Sequence, residues 1–210
     1  MKIDYKINNF NHKVFIKENI FNYIINDIEE LKSDRKILLI YDENIDKKFV
    51  NEISSSLRII GSELIKIETH GSKTKKNEKL LFKILDVLIE KKFTKKSILV
   101  SLGGGVIGDV SALAASLYLR GMFFLNIPTT MTSIVDSCLG GKTAINYRNI
   151  TNSIGGYYHA HSVYISLDII ERIPDREFLA GIPEILKCAL IHKNKNFFNY
   201  LISNKNKILR

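Results

Sequence analysis

Three consecutive glycines, Gly103 to Gly105, end the apolar run Ser97–Leu102, and Val106-Ile107-Gly108-Asp109 follows. A strand that passes into a helix through glycines presents backbone N–H groups at a helix N-terminus, a seat for phosphate or pyrophosphate. Gly103, Gly105 and Gly108 also satisfy the G-x-G-x-x-G spacing. The usual dinucleotide fingerprint follows the first strand and has an acid about 20 residues later. Here at least two strand–helix units come first, the segment near 129 reads Pro-Thr-Thr, and the strand-end acid is Asp42, upstream. In an open parallel sheet the carboxyl ends of neighbouring strands share one crevice, so Asp42 can reach a ribose while the glycines hold a pyrophosphate. The plainer alternative is a tight strand–helix turn beside an exposed loop acid.

Two further groups of residues could do chemistry. Arg120, Asp136, Gly140-Gly141-Lys142-Thr143 and Asn152 lie within about one loop-rich stretch. Gly-Gly-Lys-Thr looks like the end of a P-loop, but the full pattern needs a glycine at 136, where the chain has Asp136. Lys142 and Arg120 together can neutralise a phosphate. Asp136 can pair with a hydroxyl or with Lys142, or be a plain helix acid. Glu184 and Lys187 stand three apart, on one helical face. They read as a surface ion pair, or as a carboxylate metal ligand beside a substrate-contacting lysine. His159, His161 and His192 form no ligand pattern with Glu184.

The elements that must position these groups alternate. Strands are expected at 36–41, 63–68, 97–102, 122–127 and 162–167. Helices are expected at 20–32, 45–57, 75–92 and 109–119, and then at 175–192 and 194–209. Strands separated by helices imply parallel βαβ units. The expected fold is therefore α/β, a Rossmann-like parallel-sheet domain over 1–168, followed by the start of an α-helical domain over 169–210. From 128 to 160 closely packed glycines and Pro128 signal loops. Ile185, Leu186, Ala189 and Leu190 are expected to form an apolar face for a partner domain.

The chain has 210 residues, 45% hydrophobic and 25% charged, with a net charge of +9, which describes a globular protein. The positive charge reflects either a lysine-rich composition or a basic surface for an anionic ligand. No compact arginine–aromatic patch points to nucleic acid. Cys138 and Cys188 are the only cysteines and suggest free thiols in a reducing cytoplasm. The N-terminus has no apolar signal core, and the apolar stretch 97–119 is broken by glycines and Asp109, so no membrane association is expected.

Taken together, SLGGGVIGDVSALAAS, YLRGMFFLNIPTTMTSIVDSCLGGKTAIN, SIGGYYHAHSVYISLD and GIPEILKCALI closely resemble the 3-dehydroquinate synthase family of the sugar-phosphate cyclase superfamily. The resemblance runs from about residue 36 onward and is densest over 97–192. It implies NAD bound to the N-terminal α/β domain and a divalent metal, zinc or cobalt, held against a helical C-terminal domain. It also implies a phosphorylated sugar-acid substrate, a cytoplasmic homodimer, and conversion of 3-deoxy-D-arabino-heptulosonate 7-phosphate to 3-dehydroquinate and phosphate, with NAD recycled in each turnover. Carried over to matching positions, Gly105, Val106, Ile107, Gly108 and Asp109 would hold the NAD pyrophosphate. Asp42, assisted by Asn44, would hold the adenosine ribose. Thr129, Thr130, Lys76 and Lys142 would also contact the cofactor, Lys142 from between cofactor and substrate. Asp136, Asn152 and Lys187 would face the substrate, Arg120 would reach its phosphate from the neighbouring subunit, and Glu184 would be one metal ligand.

The chain departs from the family at several points. The family's Gly-Glu-x-x-Lys is here Gly71-Ser-Lys-Thr-Lys75-Lys76, without the glutamate, and Thr151 stands where a lysine is common. The family takes two further metal ligands, both histidines, from its C-terminal domain, and this sequence stops at Arg210. The expectation is a chain that cannot complete the metal site alone. Two other readings stay open: a non-catalytic remnant that still binds NAD, and a related metal-dependent polyol dehydrogenase.

Overall fold

The structure, a computed structural model, describes residues 1–7 and 10–208. In chain order its elements are β1 (Lys2–Ile7), β2 (Phe10–Lys17), α1 (Phe21–Glu30), β3 (Lys36–Asp42), α2 (Lys47–Ile60), β4 (Glu63–Thr69), α3 (Glu78–Glu90), β5 (Ile98–Gly103), α4 (Gly105–Leu117) and β6 (Phe123–Pro128). A π-helical turn (Ser133–Ser137) follows, then β7 (Lys142–Tyr147), β8 (Ile150–Tyr157), β9 (Ser162–Ser166), α5 (Leu167–Arg172), α6 (Asp175–Ile191), α7 (Lys195–Ser203) and α8 (Lys205–Ile208).

Seven strands form one sheet in the order β1-β2-β9-β6-β5-β3-β4, and β7-β8 is a separate hairpin. Among the described residues only β1 runs antiparallel, against β2; the remaining pairs in the large sheet are parallel. The unbroken aliphatic runs of β3 and β5 suit strands covered on both faces. Ile37 to Ile40 are fully buried, and every residue of β5 is buried. The connection β3–α2–β4 steps toward one edge and β5–α4–β6 toward the other. Right-handed crossovers running in opposite directions put α2 and α4 on opposite faces. A crevice therefore opens between the carboxyl ends of β3 and β5, where the strand order reverses.

The α/β reading holds, with five differences. The N-terminal hairpin β1–β2 was not expected, and β2 joins the sheet through β9. The 128–160 stretch is not loop throughout. It contains β7–β8, closed by Arg148 and Asn149, both left-handed (φ 46° and 66°), as a two-residue type I′ turn requires. Helix α4 starts at Gly105 rather than 109, with Gly104 as its extended N-cap and Gly105 to Gly108 as its first turn. The helix expected over 194–209 is divided into α7 and α8 at Asn204, and its last residue, Leu209, lies outside the described residues. The predicted apolar face is also redistributed: Ala189 is buried and Ile185 packs on the core, whereas Leu190 is exposed.

Candidate functional site

The crevice at the switch point is a cleft of about 620 Å³, lined among others by Asp42, Asn44, Gly104, Gly105, Val106, Thr129 and Thr130. Helices α2 and α3 are capped by side chains: Asp46 accepts from the Lys48 N–H, and Asn77 from Lys79 and Leu80. Helix α4 has no side-chain cap. The opening N–H groups of a helix have no intrahelical acceptor, so those of Gly105, Val106 and Ile107 are available to an anion in the cleft. The Gly108 N–H is already used by the Gly104 carbonyl at 3.1 Å. Ile107 turns its side chain into the core, leaving only its backbone to serve the cleft.

Asp42 ends β3 with its carboxylate oriented. Its Oδ1 accepts from the Asn44 backbone N–H at 3.1 Å and from Asn44 Nδ2 at 2.9 Å. Gly71 makes room for it, since a Cβ there would lie 2.0 Å from Asp42 Oδ2. The Thr129 N–H bonds the Gly103 carbonyl at 3.0 Å, joining the ends of β5 and β6. Thr130 donates from its hydroxyl to Ser133 Oγ at 2.9 Å, and Ser133 in turn donates to the Thr130 carbonyl at 2.8 Å. His70, Lys73 and Arg172 also line the cleft. They were not anticipated, and only the fold discloses them, because Arg172 comes from α5 and pairs with Asp46 at 3.0 Å.

Asp109 and Lys76 lie beside this cleft but are committed to each other. Lys76, only 9% exposed, places Nζ 2.5 Å from Asp109 Oδ2 and 2.6 Å from Asn152 Oδ1. Burial holds the Asp109 carboxyl above its ordinary pKa; the bond and charge of Lys76 oppose that shift, and Asp136 adds to it. Asn152 is left-handed (φ 54°) and reaches this cluster from β8. One cofactor candidate, one pyrophosphate candidate and one substrate candidate thus meet in a single polar cluster.

A second group assembles around α6. Lys187 forms an ion pair with Glu184 and lies 4.0 Å from Asp136 Oδ1, which comes from the π-helical turn. The bond to Glu184 is the main cause raising the Lys187 pKa above its ordinary value. Among the described residues no group of three His, Cys, Asp or Glu side chains could hold a metal ion. Cys138 is buried, and burial pushes its thiol up to about 12, which rules out a ready thiolate.

Lys142 is exposed at the start of β7, just after Gly140 and Gly141. Gly141 is left-handed (φ 70°), and a Cβ there would meet the His159 ring at 2.7 Å. Arg120 stands apart from the cleft between β3 and β5. It lines another cavity of about 450 Å³ with Lys95, His12, His159 and His161. His161 accepts from the Phe124 N–H at 3.2 Å; burial, with His12 nearby, lowers its pKa to about 4.

Comparison with known proteins agrees with this architecture. The family profile described as 3-dehydroquinate synthase N-terminal matches residues 66–180. The 3-dehydroquinate synthase of Prochlorococcus marinus (strain MIT 9312) is 37% identical over 212 residues, covering 98% of this chain and 57% of its own length. Among solved structures, 2-deoxy-scyllo-inosose synthase complexed with carbaglucose-6-phosphate, NAD+ and Co2+ superposes with a TM-score of 0.83 at 21% identity, over 89% of this chain and 50% of that one. ValA, a 2-epi-5-epi-valiolone synthase from Streptomyces hygroscopicus with NAD+ and Zn2+ bound, gives 0.76 at 22% identity, over 87% and 50%. The chain spans about half the length of the curated relatives it matches. Profile, sequence relatives and the cleft between β3 and β5 converge: this chain belongs to the 3-dehydroquinate synthase family.

Proposed function

We propose that this chain is the nucleotide-binding part of a 3-dehydroquinate synthase, with residues 1–168 as the NAD-binding domain and 169–210 as the first helices of the metal and substrate domain. The whole enzyme would convert 3-deoxy-D-arabino-heptulosonate 7-phosphate to 3-dehydroquinate and phosphate. The observation that carries the reading is the uncapped N-terminus of α4 facing Asp42 across a cleft large enough for a dinucleotide. The N–H groups of Gly105, Val106 and Ile107 would take the pyrophosphate, and Asp42, held by Asn44, the ribose hydroxyls. Thr129 and Thr130 would line the next section, and Lys76 would hold Asp109 and Asn152 in place beside it. NAD, when bound, supplies a hydride acceptor for one hydroxyl of the substrate.

On the substrate side, Lys142, Asp136, Asn152 and Lys187 would orient the sugar acid, and cationic groups would stabilise the leaving phosphate. Arg120, remote from the cleft of its own chain, would serve the site of a second copy in a cytoplasmic homodimer. Glu184 is one carboxylate suited to zinc or cobalt. Paired with Lys187 and belonging to no group of metal-ligating side chains among the described residues, it does not by itself make a metal centre.

Calorimetric titration with NAD tests the reading. Saturable binding is expected, weakened at least about tenfold by Asp42→Ala, the loss of more than one charge-assisted bond. No binding by the unmodified chain would overturn the cofactor assignment. Release of phosphate from the heptulosonate substrate would extend the reading to turnover, whereas net NAD reduction with a polyol would replace it.

A further inference from the structure

We infer that Asn146, a residue with no assigned part in the site, is a positioning residue that joins the nucleotide cleft to the β7–β8 hairpin. The hairpin register is irregular between Ile145 and Tyr147. Such a bulge releases a residue from the ladder and re-aims its groups. Here Asn146 of β7 faces three residues of β8, Thr151 to Ser153, and so has no single partner in the register. Its backbone N–H bonds the Lys76 carbonyl at 2.8 Å, and its Nδ2 donates to the Lys73 carbonyl at 3.2 Å. Its Oδ1 accepts from the Asn152 N–H at 2.9 Å. Asn152, held left-handed, then receives Lys76 Nζ on its own Oδ1, and Lys76 reaches Asp109 on α4.

The result is a closed circuit: 73–76 to Asn146, Asn146 to Asn152, and Asn152 back to Lys76. Lys73 lines the cleft, and the hairpin carries Lys142 and Asn152. An amide side chain is required, because one atom must donate to Lys73 while another accepts from Asn152. Asn146 thereby sets the Lys73 loop and the Asn152 turn by one side chain, so that a ligand ordering one orders the other.

The inference rests on the nucleotide reading of the cleft, and the experiment separates the two. Amide hydrogen exchange and NAD titration are compared in the unmodified chain, Asn146→Ala and Asn146→Asp. In Asn146→Ala, exchange at Lys75, Lys76, Asn77 and Asn152 is expected to rise together by about tenfold, with β5 and α4 unchanged, and NAD binding to weaken about fivefold. Asn146→Asp keeps the acceptor and loses the donor. It should leave Asn152 protected while the Lys75–Asn77 amides loosen, a split that a general loss of stability would not produce. Should Asn146→Ala fail to fold, that split decides alone. Exchange within about twofold of the unmodified chain at both segments, or loosening spread evenly over the fold, overturns the inference. If the unmodified chain binds no NAD, the cofactor reading fails, and the exchange pattern without nucleotide still decides the role of Asn146.

Discussion

The α/β layer and the last three helices follow opposite rules. In the layer, β5 and β9 are buried at every residue, and α4 buries seven of its thirteen. In α6 the buried residues are Gly181 and Ala189, and α7 and α8 bury none. Leu190, Ile191 and Tyr200 are each more than 60% exposed. The cleft between β3 and β5 therefore stands on a well-buried core, while Glu184 and Lys187 stand on a helix supported along one side. Order in the cleft is a property of the layer; order around Glu184 depends on how α6 is held.

The sharpest break in the layer is expected at Asp27. It is 3% exposed and accepts from Lys13 at 2.6 Å, from Ser162 at 2.5 Å and from the Tyr164 hydroxyl. Asp27→Ala strands three donors and is expected to cost about 3–5 kcal/mol, read as a lowered midpoint in urea. His161 comes next. Its folded pKa of about 4 lies below the ordinary 6.5, so its contribution is complete above about pH 6.5 and is lost as pH falls toward 4. That loss is about 3 kcal/mol, and His161→Gln should flatten the profile measured by urea unfolding across that window. Lys76→Met leaves Asp109 without its counter-charge. It should cost about 2 kcal/mol, less than a fully buried pair because both side chains keep slight exposure, and it should weaken NAD binding in the same titration. At the other end, Leu190→Gln with Ile191→Gln should change thermal stability by less than about 0.5 kcal/mol. A large loss there would show that α6 is covered in solution and would erase the contrast.

Much of the layer was legible because β3, β5 and β9 are short aliphatic runs and α3 carries an amphipathic stripe. Each imposes its own period regardless of context. Asp42 was legible for the same reason: it ends an unmistakable strand. The hairpin β7–β8 was not, because its outer strand is exposed throughout and supplies no burial pattern. Its turn uses Arg148 and Asn149 rather than glycine. The N-terminal pair escaped because β1 is an edge strand with little buried surface. Within the site, the motif residues were visible one by one, but the Lys76–Asp109–Asn152 contact was not. Its members come from three elements and meet only once the hairpin lies against α4. Lys73 and Arg172 carry no local signal; they belong to the cleft because of where α5 and the β4–α3 loop are placed.

The pairing of β2 with β9 sets Lys13 opposite Ser162. During synthesis, β2 can close early on β1 but must wait for nearly the whole sheet to emerge before its other edge is satisfied. Contacts of such separation slow folding and leave an unpaired strand available to other chains. The same pairing also staples the N-terminal hairpin to the last strand of the layer. A ribosome that stalled before residue 162 would therefore release a chain with an open seam in its sheet and a cleft still lacking the side that Ile169 and Arg172 supply.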